Sequence, residues 1–117
     1  MRPPLLALLV LAGCVTSTPS PSSTPSPGAA GEDRTIAGTV AAVDLDPMAY
    51  DGDGVVTVET DGGEVRVLLP ARYGLCAATY DDWSGLAVGD QVEVRGAVDT
   101  RGAVRPCESA EHYFRIR

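Results

Sequence analysis

The sequence predicts an all-β domain of five strands, with room for one short helix. Three observations carry that expectation. Apolar residues recur at every second position in several runs, the period of a strand with one buried face. Glycine- and aspartate-rich turns separate those runs. No stretch between residues 33 and 117 repeats apolar residues at the helical period over a helix's usual length.

The elements follow in chain order. Residues 35–44 read as a first strand, with Gly38 as a bend. Val56 and Val58 alternate with Thr57 and Glu59 in a second, and Val65, Val67 and Leu69 with Arg66 and Leu68 in a third. Asp61-Gly62-Gly63 between them predicts a three-residue hairpin loop with glycine in the left-handed position. Residues 71–85 hold the space for a helix of one or two turns, around Ala77-Ala78 and Asp81-Asp82-Trp83. Val92 and Val94 alternate with Gln91, Glu93 and Arg95 in a fourth strand, closed by a turn at Asp99-Thr100-Arg101-Gly102. Residues 112–117 give the fifth, with Phe114 and Ile116 on one face and Tyr113, Arg115 and Arg117 on the other.

Five strands with a connector between the third and fourth resemble the OB-fold, a Greek-key β-barrel. The run Leu86-Ala87-Val88-Gly89-Asp90-Gln91-Val92-Glu93-Val94-Arg95-Gly96 is the strongest local likeness, because many OB domains enter their fourth strand through a similar L-x-x-G-D-x-V-x-V-x-G run. That resemblance implies ligand binding on the face of strands two and three, whose outward residues would be Val55, Thr57, Glu59, Glu64, Arg66 and Leu68. No aromatic stands among them, so base stacking is not supported.

A second resemblance concerns the N-terminus. Met1-Arg2, a short apolar run from Leu5 to Ala12, and Leu11-Ala12-Gly13-Cys14 resemble the signal and lipobox of bacterial lipoproteins. The apolar run is too short to span a bilayer. The resemblance implies removal of residues 1–13, lipid on Cys14, and a place on a membrane outside the cytoplasm. Val15 after that cysteine, where an aspartate would retain a lipoprotein at the inner membrane of enteric bacteria, implies the periplasmic face of an outer membrane in a Gram-negative cell. In other bacteria the expected site is the outer face of the cytoplasmic membrane. Pro47-Met48-Ala49-Tyr50-Asp51-Gly52, Cys107-Glu108-Ser109 and His112-Tyr113 are also similar to small bacterial lipoproteins of no assigned activity.

The domain plan is therefore a signal over residues 1–13, a lipidated cysteine and linker over 14–32, and a barrel over 33–117. Residues 15–31 are nearly all Ser, Thr, Pro, Gly and Ala, with too little apolar surface to offset ordering entropy. Extended at roughly 3.1 Å per residue, this tether reaches at most about 50 Å.

The chain has a formal charge of −7, with every cation an arginine. That balance argues against nucleic acid, which demands clustered cations, and against attraction to anionic headgroups. The expected membrane contact is lipid alone, and the expected partner an envelope protein or glycan. With Cys14 set aside for lipid, Cys76 and Cys107 remain, and an even pair in an oxidising compartment reads as a disulfide.

Asp44, Asp46, Asp51 and Asp53 crowd the first long loop. Their functional reading is calcium, which takes several oxygens from a flexible loop; their plain reading is a solvated turn. Set against the EF-hand loop, Asp51, Asp53 and Gly54 fit positions three, five and six, but Ala49 and Thr60 stand where two essential ligands belong. No metal site and no cofactor is assigned. Tyr50, Tyr73, Tyr80 and Arg66 are the candidate ligand contacts, and Trp83 reads either with them or as a plug under the connector. Catalysis is not expected: Ser84 and Ser109 lie outside any nucleophile motif, and a hydrolase would need Glu108, Glu111 and His112 to converge in one cleft.

Overall fold

The computed structural model describes residues 30–117. Cys14 and the linker, apart from its last residues, lie outside them. Seven strands form one sheet: β1 (Asp33–Asp44), β2 (Gly54–Thr60), β3 (Gly63–Leu69), β4 (Thr79–Tyr80), β5 (Gln91–Val98), β6 (Val104–Arg105) and β7 (Tyr113–Ile116). The order is β1-β2-β3-β6-β5-β7-β4, and pairing of β1 with β5 closes the ring. The result is a five-stranded, OB-like barrel in which β6 and β7 together make the fifth stave.

Closure depends on β1 serving two neighbours. Its first half runs antiparallel to β5, from Asp33 opposite Ala97 to Thr39 opposite Gln91. Its second half pairs with β2, and the register slips between Val40 and Ala42. Such a bulge bends a strand and increases its twist, as a barrel corner requires. Gly38 sits at this corner, where a Cβ would lie 2.0 Å from the Glu59 carbonyl oxygen. The expected bend is thus a close backbone approach that excludes any side chain.

The period-two reading is met by the core. Val56 and Val58 of β2, Val65, Val67 and Leu69 of β3, Val92 and Val94 of β5, and Phe114 of β7 all point inward with Ile36, Val40 and Val104. Thr57, Glu59, Glu64, Arg66 and Leu68 alternate outward. The L-x-x-G-D run has a local cause. Gly89 takes φ +99°, and Asp90 Oδ2 accepts the Ala87 N–H at 2.9 Å. Val40 N–H then donates to the Asp90 carbonyl at 2.8 Å, tying the turn to β1.

Several expectations are corrected. The β2–β3 loop has two residues, since Thr60 pairs with Gly63, and the Thr60 hydroxyl donates to the Gly63 carbonyl across it. The connector contains a single 3-10 turn at Tyr73–Leu75, earlier than the helix expected at 77–83, and Thr79–Tyr80 is a strand. Both residues pair in parallel with β7, where their backbone groups find partners a free helix turn would not have provided. A second 3-10 turn, Asp46–Tyr50, folds the first loop over the start of β2.

The fifth stave is the largest departure. Val104 and Arg105 pair with Val98 and Ala97, Tyr113–Ile116 pair with 92–95, and residues 106–112 leave the sheet opposite Gly96. A Cβ on Gly96 would fall 2.5 Å from the backbone of Arg105 and Pro106, so the excursion starts by crossing over a bare glycine.

Candidate functional site

The excursion and the connector are stitched together. Cys76 and Cys107 form a disulfide, 31 residues apart in sequence. Beside it, the N–H groups of Ala77 and Ala78 both donate to the Cys107 carbonyl, at 2.8 and 3.2 Å, and Thr79 N–H donates to that of His112 at 3.1 Å. The Tyr80 hydroxyl donates to the Pro106 carbonyl, and burial pushes its pKa up to about 12.

His112 locks the far end of the excursion. It is 2 % exposed; its Nδ1 accepts the Cys107 N–H at 3.2 Å and its Nε2–H donates to Asp33 Oδ1 at 2.9 Å. This arrangement selects the Nε2–H tautomer and leaves neither ring nitrogen free to act as a base. Glu111 turns to Arg95, 3.9 Å away. Glu111 and His112 thus have separate partners and Glu108 is exposed, so the three do not gather. The hydrogen bond from His112 holds the Asp33 carboxyl below its ordinary range. A depressed carboxyl stabilises the fold above its unfolded value of 3.8 and ceases to do so as pH falls through the folded value. Wild type should therefore melt above Asp33→Asn near neutrality, with the gap closing in acid. A gap in melting temperature constant down to about pH 2 would show that this carboxylate contributes no proton linkage.

On this scaffold stands a cavity of about 360 Å³ lined by Tyr73, Tyr80, Asp81, Asp82, Trp83 and Ser84. Its rings meet edge to face: Tyr73 and Trp83 at 4.8 Å, Tyr80 and Trp83 at 5.4 Å, Tyr73 and Tyr80 at 6.0 Å between centroids. Such pairs contribute about 0.5–1.5 kcal/mol beyond their buried area. Trp83 also abuts Phe114 at 6.2 Å, so it packs against the core and lines the cavity as well. Tyr73 is 48 % exposed and forms the outer wall. Asp82 Oδ1 accepts the Ser84 N–H at 2.9 Å, a bond that keeps its carboxyl ionised below the usual range. Asp81 Oδ2 accepts the Ile116 N–H at 2.8 Å.

Of the four expected contacts, Tyr73 and Tyr80 come together here. Tyr50 stands 87 % exposed at the end of its own turn, and Arg66 lies on the outer face of β3 opposite Thr57. Neither lines the cavity. Asp81, Asp82 and Ser84 were not singled out as contacts, although five consecutive ring-bearing and polar residues, 80–84, are a signal that could have found them.

The acidic loop disperses its carboxylates. Asp44 Oδ1 accepts the Asp46 N–H at 3.2 Å, Asp51 pairs with Arg72 at 3.2 Å, and Asp53 with Arg105 at 2.5 Å. Among the described residues no group of three or more His, Cys, Asp or Glu side chains gathers as a metal ion would need. No protein-family model matches the chain, and no curated protein matches it.

Proposed function

We propose that the chain is a lipid-anchored, non-catalytic envelope protein whose barrel binds an envelope glycan. The cavity of Tyr73, Tyr80 and Trp83 carries this reading. Ring faces suit the C–H surface of a sugar, and carboxylate and hydroxyl oxygens beside them suit its hydroxyls. At about 360 Å³ it falls at the small end of ligand pockets, roughly 300–1,000 Å³, enough for a monosaccharide unit and not for a protein surface. Leu11-Ala12-Gly13-Cys14 and the proline-rich segment after it support the anchor and the tether.

Phase partition and co-sedimentation test the two halves together. The full chain made in a bacterium should enter the detergent phase, and Cys14→Ser should move it to the aqueous phase. The purified protein should pellet with insoluble peptidoglycan, and Tyr73→Ala should pellet less. A Cys14→Ser protein that stays with detergent removes the anchor; a wild-type protein that stays in the supernatant removes the glycan.

A further inference from the structure

Charge around the cavity narrows the ligand further. Its lining includes two adjacent carboxylates, Asp81 and Asp82, and no basic side chain. Several other acids of the fold do pair with cations: Asp51 with Arg72, Asp53 with Arg105, Asp33 with Arg95, Glu93 with Arg117. The arginines that flank Tyr73 and Ile116 in sequence have partners elsewhere. Arg72, beside Tyr73 in sequence, is held by Asp51. Arg115 lies over the Tyr113 ring, 3.9 Å from its centroid, and Arg117 bonds Glu93. Among the described residues no ion pair includes Asp81 or Asp82. Both are held in place by backbone N–H groups, Asp82 by that of Ser84, whose side chain also bonds it, and Asp81 by that of Ile116.

Two carboxylates in no ion pair, beside three aromatic rings, complement a cation attached to an apolar body. We infer that the cavity takes an amino sugar bearing a free ammonium group, with the sugar ring against Tyr73 and Trp83 and the ammonium at Asp81 and Asp82. This rests on the glycan reading and goes beyond it, because a neutral or N-acetylated sugar would leave both carboxylates uncompensated.

Trp83 is the chain's single tryptophan, so intrinsic fluorescence reports the cavity directly. The full chain in detergent is titrated with a glucosamine tetramer, an N-acetylglucosamine tetramer and tetralysine, at a pH where the amines are protonated and the carboxylates ionised. The glucosamine tetramer should act at about tenfold lower concentration than its acetylated counterpart, the equivalent of about one charge-assisted hydrogen bond. That preference should shrink in Asp82→Asn, which keeps an amide oxygen for the Ser84 N–H, and in high salt. Equal responses to the two sugars would overturn the ammonium assignment and leave the glycan reading standing. A tetralysine response matching that of glucosamine would show a site for charge alone and overturn the sugar assignment. Silence with all three would overturn both readings.

Discussion

Replacing Cys76 by serine should cost the domain about 3–4 kcal/mol, the chain-entropy value for a cross-link spanning 31 residues. A domain of this size has roughly 5–10 kcal/mol in total, so the loss removes a large part of its margin. At about 4–8 °C per kcal/mol for domains of this length, the midpoint should drop by roughly 12–32 °C. The bridge joins two segments with little regular structure of their own, the connector around Tyr73–Leu75 and the excursion 106–112. Without it, the Ala77 and Ala78 bonds to the Cys107 carbonyl must hold alone, and the walls of the cavity should loosen before the barrel melts. Thermal melts with and without reductant, with Cys76→Ser/Cys107→Ser alongside to exclude effects of a stray thiol, provide the measurement. A midpoint within a degree or two of the parent would show that the bridge does not stabilise the fold.

Phe114→Ala should be as damaging, at about 3–5 kcal/mol. Phe114 is fully buried, and it is the chain's single phenylalanine in a core built mostly of valine. Branched valine side chains are stiff about χ1 and cannot swing into the vacated volume, so a cavity persists. The ring also supports Trp83 from below. The variant should therefore combine a lower melting midpoint with a changed Trp83 emission at temperatures where it remains folded. Phe114→Leu, which refills most of the space, should recover the larger part of both. A loss under about 1 kcal/mol would mean that the barrel collapses around the gap.

The strands were readable where one face is buried and the other wet, as in Val56-Thr57-Val58-Glu59 and Val92-Glu93-Val94-Arg95. Elements set by distant partners were not. Val104–Arg105 and Thr79–Tyr80 are two residues each, shorter than any period can register, and they exist because β5 and β7 offer them backbone partners. The excursion at 106–112 follows from bare Gly96, the disulfide and the His112–Asp33 bond, the last joining residues 79 positions apart. Half of the candidate site was visible for the same reason. Tyr73, Tyr80 and Trp83 stand out as aromatics in a polar connector, but only the β4–β7 pairing brings Asp81, Asp82 and Ser84 into one lining with them.

The ring of β1, β2, β3, β6 and β5 has no free border. Among the described residues β1 spends its first half on β5 and its second on β2, β3 meets β6 only at Val67 and Val104, and the outer member, β4, is two residues long. Closure of the ring leaves less strand edge for intermolecular zippering, the route by which open sheets grow into fibrils, than an open sheet of the same strands would.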